Sequence, residues 1–162
     1  MTPKSLLRNP NTVSEVQELS ESRFKPVYEQ SGLSHAYEKV TRVVLSSGKV
    51  SIDISDHFNK MEGDKDWLHI ARIEQLYPFP AKDTKELFAK LPNLQEIVWV
   101  QEEPQNMGAW SYISPYLTEI APKGVNVQYI GRRRRSSPAE GDPTVHKKEQ
   151  ERIVSDSLTR KN

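Results

Sequence analysis

Two different hydrophobic patterns lie on either side of one turn in residues 40–61, VTRVVLSSGKVSIDISDHFNKM. The run Val40–Leu45 is rich in β-branched residues, as is typical of a buried strand, and it stops at Ser46-Ser47-Gly48. Beyond the turn, a helical spacing connects Val50, Ile54, His57, Phe58 and Met61. Alternate residues from 50 to 54 would also suit a strand, but the longer match favours a helix. The segment therefore predicts a strand followed by a helix.

The same alternation continues along the chain. Further strands are predicted over Trp67–Leu76, Glu96–Val100 and Val125–Ile130. Further helices are predicted over Lys82–Leu91 and Ala109–Ile120, and from the Asp142-Pro143 cap to about Leu158. The strand at 96–100 is the most apolar and is expected at the centre of the sheet, whereas the strand at 125–130 is expected nearer an edge. This order predicts an α/β three-layer sandwich with a mostly parallel sheet and right-handed crossovers.

The first 38 residues differ in character from the rest. They are polar and contain the structure-breaking residues Pro10, Pro26 and Gly32. A helix is predicted only for a short segment around Val13 to Leu19. We therefore expect residues 1–38 to form an irregular arm that enters a single α/β domain at 39–162.

The composition excludes several classes of protein. The formal net charge of +1 is well below the basic balance of a dedicated nucleic-acid module. The absence of cysteine excludes a disulfide framework, a thiolate nucleophile and a cysteine zinc site, and it fits a cytoplasmic location. No apolar run approaches the roughly 20 residues that span a bilayer. Only 35% of the residues are hydrophobic, so part of the surface is expected to pack against another part of a larger protein.

The loops at the carboxyl ends of parallel strands gather along one edge of the sheet, where ligands usually bind. The loops predicted there are Ser47–Lys49, Gln75–Pro80, Glu102–Gly108 and Arg132–Asp142. The turn at 46–49 resembles a phosphate-binding turn, and Lys49 is a candidate anion ligand because amides at a helix start attract anions. The turn lacks the G-x-x-x-x-G-K-[ST] spacing, so a tight turn with a serine cap is the favoured interpretation.

Four consecutive arginines occur in GRRRRSSPAEGD at 131–142. A solvated or interface charge cluster is the favoured interpretation, and an anion or partner-phosphate site and a nucleic-acid site are the alternatives. A nucleic-acid groove would combine several basic elements with stacking aromatic residues, which this run lacks. The guanidinium groups are expected to meet carboxylates of a neighbouring domain or subunit, or to remain in water. Arg132, nearest the strand, is the one expected to be held, and it is also a candidate anion ligand.

The other titratable residues form no recognisable active site. Glu102 and Glu103 are expected to leave their strand on opposite faces, which favours structural hydrogen bonding over a shared proton. The four histidines lie in separate elements without metal-ligand spacing, at positions 35, 57, 69 and 146. His146 lies in the first turn of a helix beside its buried stripe, where packing is favoured over catalysis.

Four longer segments carry more information than composition does. They are MTPKSLLRNP at 1–10, RIEQLYPFP at 72–80, VWVQEEPQNMGAW at 98–110 and GRRRRSSPAEGDPTVHKKEQERIV at 131–154. Together they resemble the C-terminal region of the bacterial thiamine-diphosphate-dependent 2-oxoglutarate dehydrogenase family, the first component of its complex. The sequence departs from that family at 133–135, where bulky arginines stand in place of small residues.

The resemblance implies a transketolase C-terminal fold that packs beside upstream catalytic domains of the same chain and helps to form a homodimer. It implies that Met1 begins partway through the natural protein. The full enzyme would use thiamine diphosphate and magnesium, with no cofactor expected in this segment. It would pass a succinyl group to a lipoyl-bearing succinyltransferase that works with dihydrolipoyl dehydrogenase in the tricarboxylic acid cycle. Some members bind acetyl-CoA near this junction, which makes Lys4 and Arg8 candidate phosphate ligands.

Overall fold

The computed structural model describes residues 3–29 and 37–160, and His35 lies outside them. The strands are β1 Val27–Glu29, β2 Arg42–Ser46, β3 Leu68–Ile73, β4 Glu96–Pro104 and β5 Asn126–Arg132. The helices are α1 Val16–Ser20, α2 Lys49–Lys60, α3 Ala81–Ala89, α4 Trp110–Ile120 and α5 Pro143–Leu158. Short 3₁₀ helices occupy Lys4–Leu6, Pro10–Thr12 and Tyr37–Lys39.

The strands form one sheet in the order β1-β3-β2-β4-β5. Strands β2 to β5 are parallel, and β1 pairs with β3 in the antiparallel direction. In this register Val44 lies between Ile70 and Val98. The predicted mostly parallel α/β sandwich is confirmed. The centre of the sheet is β2 and not β4, and all five residues of β2 are accordingly buried.

Helices cover both faces of the sheet, which is why its strands are apolar on both sides. On one face, α2 and α5 pack with alternate strand residues such as Val44 and Val98. On the other face, α3 and α4 pack with the residues between them, such as Leu45 and Trp99. Among the described residues, no helix is both long enough and apolar enough to cross a bilayer.

Three local predictions were wrong. The arm is not wholly irregular, because Val27–Glu29 pair with the otherwise free edge of β3. The loop predicted from Glu102 begins later, since β4 continues to Pro104, which lies opposite Arg132 across a register irregularity. His57 does not belong to the apolar stripe of α2 but is exposed, one residue from the buried Phe58. The domain boundary at residues 38 and 39 stays a prediction.

Candidate functional site at the carboxyl edge of the sheet

The direction in which the connections leave the strands reverses between the neighbouring strands β2 and β4. From β2 it crosses through α2 to β3 on one side, whereas β4 leads to β5 on the other side. Neighbouring strands whose connections leave in opposite directions open a crevice at their carboxyl ends. Two polar clusters lie at this edge of the sheet, one beside the start of α2 and one beside the end of β5.

The first cluster surrounds Lys49, the first residue of α2. Its ammonium group pairs with Asp53, and Asp53 Oδ2 also accepts a hydrogen bond of 2.9 Å from Gln150 Nε2 on α5. Burial raises the pKa of Glu102 above its ordinary value, and the charge of Asp53 adds to this, while Lys49 and a hydrogen bond with Gln150 oppose it. The ammonium group of Lys49 therefore interacts with nearby carboxylates, and an anion would have to compete with them for it.

The second cluster is built around Arg132 at the end of β5, whose side chain is only 2% exposed. Its Nε lies 2.7 Å from Glu140 Oε2, and its Nη1 donates to the carbonyl oxygen of Glu102. Its Nη2 lies 3.2 Å from Nδ1 of His146. The guanidinium thus links β5, the end of β4, the loop before α5 and the first turn of α5. An anion could reach Arg132 only by displacing Glu140.

The carboxylate of Glu140 holds two arginines of the run. Arg135 Nη1 lies 2.6 Å from Glu140 Oε1, while Arg133 and Arg134 are exposed. Burial raises the pKa of Glu140, but the hydrogen bond from Arg132, a backbone amide and the charges of both arginines outweigh it, so the pKa lies below its ordinary value. The prediction that Arg132 is held was right, but its carboxylate partner comes from the same loop and not from another domain.

Of the other titratable residues, His146 adjoins the second cluster, whereas His69 lies apart from both clusters on β3. His146 is half-exposed and packs against Arg132, in keeping with the structural interpretation. His69 is buried on β3 with Nε2 3.1 Å from Glu29 Oε2, and burial is the main reason that its pKa is lowered. Glu103 is exposed, and its carbonyl oxygen accepts a hydrogen bond from Tyr129. Within 3–29 and 37–160, no group of three acidic or histidine side chains could hold a metal ion.

Arg8 lies at the far end of α2 from Lys49. Lys4 is exposed in the first 3₁₀ helix, and Arg8 borders a shallow groove of about 480 Å³ with Asn59 and Lys60 at the end of α2. Ten to eleven helical residues separate this groove from Lys49, which corresponds to about 15 Å. The four candidate anion ligands are therefore not brought together at one site.

Gln101 organises the loop between β4 and α4 and was missed in the sequence. Its Oε1 accepts hydrogen bonds of 3.0 Å from Trp99 Nε1 and from the Trp110 amide. Its Nε2 contacts three carbonyl oxygens, those of Glu103, Pro104 and Met107, at 3.3, 3.2 and 2.7 Å. A buried glutamine in an apolar strand is the signal that could have revealed this role, because a buried amide needs partners.

Replacing Gln101 by Glu should lower the free energy of unfolding by about 2 kcal/mol at pH 7, because a carboxylate cannot donate to the three carbonyl oxygens. Urea unfolding measures the loss. Gln105→Glu is the matched control, because it makes the same chemical change in the loop after β4 without removing the hydrogen bonds of Gln101. It should lower the free energy of unfolding by less than about 0.5 kcal/mol. Equal losses for the two variants would contradict the role assigned to Gln101.

Residues 13–158 match the family model described as 2-oxoglutarate dehydrogenase C-terminal. The chain belongs to this family. It is 99% identical over 162 residues to a protein from Bacillus velezensis and 92% identical to one from Bacillus subtilis, both named 2-oxoglutarate dehydrogenase E1 component. A Geobacillus protein of the same name is 58% identical over 161 residues.

These relatives are much longer than the chain. The match covers 100% of the chain but 17% of the Bacillus velezensis relative, so the chain corresponds to one region of the E1 component. Among solved structures, a split-gene transketolase described as an inactive beta4 tetramer aligns with a TM-score of 0.53. That alignment has 17% sequence identity and covers 86% of this chain and 45% of the other. It supports the expected transketolase-like fold.

The residues that the structure describes do not suit thiamine diphosphate with its magnesium ion. A divalent cation requires several convergent oxygen ligands, and the described residues contain no such acidic group. At the crevice, the carboxylates of Asp53 and Glu102 lie around Lys49, and Glu140 holds Arg132, an arrangement that disfavours a diphosphate. No catalytic step through this cofactor is therefore assigned to the described residues.

Proposed function

We propose that the chain forms the C-terminal region of a 2-oxoglutarate dehydrogenase E1 component whose catalytic residues lie elsewhere in the polypeptide. The full enzyme would decarboxylate 2-oxoglutarate on thiamine diphosphate with magnesium. It would pass the succinyl group to the lipoyl arm of a succinyltransferase that works with dihydrolipoyl dehydrogenase in the tricarboxylic acid cycle, in the cytoplasm. The match of the whole chain to E1 components supports this proposal.

In this proposal the chain contributes architecture rather than chemistry. The buried charge of Arg132 at the carboxyl edge of the sheet is engaged within the fold by Glu140. Packing beside the catalytic domains and contact with a second subunit are the proposed roles of its surface.

Turnover of 2-oxoglutarate tests the proposal. The 162-residue chain should show no decarboxylation with 2-oxoglutarate, thiamine diphosphate and magnesium, whereas the extended polypeptide should be active. The extended polypeptide that lacks the region of this chain should lose activity. Decarboxylation by the short chain alone would overturn the assignment of the chemistry to the remainder of the enzyme.

We further propose that Lys4 and Arg8 contact the phosphates of acetyl-CoA, which would act as a regulator of the full enzyme. Both side chains lie on the arm and are exposed. Calorimetric titration of acetyl-CoA into the extended enzyme should show at least about tenfold weaker binding for Lys4→Ala with Arg8→Ala, because charge-assisted contacts are lost. The matched control is Lys82→Ala with Lys85→Ala on α3. Unchanged binding in the arm variant would remove the assignment.

An independent nucleic-acid module is less well supported. Arg132 and Arg135 are tied to Glu140, which leaves Arg133 and Arg134 as the exposed arginines of the run. A nucleic-acid complex would weaken steeply as salt rises, since each neutralised phosphate releases counterions. Absence of binding to an oligonucleotide at low salt would eliminate this alternative.

A further inference from the structure

A buried histidine on β3 ties the arm to the sheet. The side chain of His69 is 3% exposed, and its Nε2 atom lies 3.1 Å from Glu29 Oε2 on β1. The other carboxylate oxygen of Glu29 pairs with Lys90 Nζ, just beyond the end of α3. The ring of Tyr37 packs edge-on against the imidazole, with the two ring centroids 5.9 Å apart. We call Glu29, His69 and Lys90 the arm latch.

The hydrogen bonds of the arm latch fix the state of the imidazole. A carboxylate only accepts hydrogen bonds, so Nε2 of the neutral ring carries the proton that is donated to Glu29. Nδ1 of His69 is then a bare nitrogen, and it is buried without a hydrogen-bond partner among the described residues. A second proton would bind at Nδ1 and create a buried N–H group without an acceptor. Unpaired donors of this kind are costly in a protein interior.

The charges around His69 also disfavour a second proton. Within the described part of the chain, Glu29 is the one carboxylate that pairs with the ring, and Lys90 already shares it. Glu86 of α3 acts on Lys90, and the residue of β2 opposite His69 is the uncharged Val43. Protonation would therefore place two cations on one carboxylate. Burial is the largest cause of the lowered pKa of His69, Lys90 adds to it, and Glu29 opposes it.

The strand that the arm latch holds is short enough to detach. β1 pairs with β3 over three residues at the edge of the sheet. Beside this pairing, the amides of Glu74 and Gln75 donate to the carbonyl oxygen of Pro26 over 2.8 and 3.2 Å. Short edge elements open at a lower free-energy cost than central strands do. Detachment of β1 would separate Glu29 from His69 and let water reach the imidazole.

We propose that the arm latch is an acid-sensitive switch, in which protonation of His69 releases β1 and the arm from the edge of the sheet. The sign follows from proton binding, since the open state binds a proton at His69 more readily than the closed state. The closed state is therefore favoured in full above pH 6.5, the ordinary pKa of histidine, and progressively less as the pH falls towards the lower pKa of the closed state. The switch uses only contacts within this chain, so it does not depend on the proposed function.

Amide hydrogen exchange at Glu74 and Gln75 measures the opening directly, because both amides bond to the arm. After correction for the intrinsic exchange rate, the opening constant should rise by about three- to tenfold from pH 7.5 to pH 5.5, with tenfold as the limit for an open-state pKa of 6.5. The amides of β2, at the centre of the sheet, are the internal reference. An opening constant that does not change with pH, or that changes equally in β2, would overturn the proposal.

A pair of matched variants separates His69 from the other titrating groups. His69→Gln cannot take up a proton in this pH range, so the rise at Glu74 and Gln75 should disappear. His57→Gln makes the same change on the exposed side of α2 and should keep the rise. If the rise persists in His69→Gln, a different group drives the opening and the proposal fails.

An NMR titration of the imidazole provides a readout that does not require the His69 variant to fold. In the wild-type chain the ring of His69 should titrate with a midpoint below pH 6.5. Lys90→Gln leaves the carboxylate of Glu29 to the imidazole alone, and it should shift this midpoint upwards and reduce the rise in opening. A wild-type midpoint at or above pH 6.5 would overturn the proposal.

Discussion

Replacing Glu140 by Gln is expected to lower the free energy of unfolding by about 3 kcal/mol, because it leaves the buried guanidinium of Arg132 without its counter-charge. The side chains of Glu140 and Arg132 are 5% and 2% exposed, so water cannot replace the lost carboxylate without opening the loop. Thermal unfolding followed by circular dichroism should show a midpoint lower by about 10 °C.

Two controls separate this effect from the loss of an ordinary surface charge. Glu151→Gln changes a 65%-exposed carboxylate on α5 and should cost less than about 0.5 kcal/mol. In a double-mutant cycle, Glu140→Gln should cost far less when Arg132 is already Met, since the buried charge is then absent. Additive losses in that cycle would show that Arg132 and Glu140 are not coupled.

The same pair predicts how stability depends on pH. The pKa of Glu140 is lower in the folded protein than in the unfolded chain, whose reference value is 4.5. Its contribution is therefore present above pH 4.5 and is lost as the pH falls through the folded-state value. Between pH 5 and pH 3 the wild-type chain should lose more stability than Glu140→Gln does. Parallel pH profiles of the two proteins would contradict this assignment.

The sequence predicted the parts of the fold that depend on local periodicity. The parallel strands and their four crossover and flanking helices follow from apolar spacing and from caps such as Asp142, whose side chain accepts from the amides of Thr144 and Val145. The strand β1 could not be predicted in this way, because three residues carry no periodicity and the pairing depends on the free edge of β3.

The side-chain clusters were harder to predict than the elements. The arginine run gave no indication that Glu140 would fold back onto Arg132, because that contact depends on the loop path between β5 and α5. Lys49 was recognised as a cation beside a helix start, but its local i,i+4 pairing with Asp53 within the helix was not considered. The approach of Gln150 from α5 to the same carboxylate depends on tertiary packing. Local pairing, the path of a loop and helix packing together decided which charges stay available to a ligand.

Gly131 is expected to tolerate no side chain. A Cβ atom there would lie 2.2 Å from Tyr129 Oη and 2.8 Å from the carbonyl oxygen of Gln101 on β4. Tyr129 cannot move aside freely, since its hydroxyl lies 2.8 and 2.9 Å from the carbonyl oxygens of Glu103 and Arg132. Gly131→Ala should therefore lower the free energy of unfolding by about 3 kcal/mol, measured by urea unfolding.

The control and the rescue both use alanine. Gly141→Ala, where a Cβ would meet no atom within 4 Å, should change stability by less than about 0.5 kcal/mol. Adding Tyr129→Ala to Gly131→Ala removes the tyrosine clash but leaves the contact with the Gln101 carbonyl. The double variant should therefore be more stable than the sum of the single losses implies, by about 1 kcal/mol. If the losses of unfolding free energy of the two single variants instead add up to that of the double variant, Tyr129 does not restrict position 131. The contact with the β4 backbone alone then accounts for the loss in Gly131→Ala.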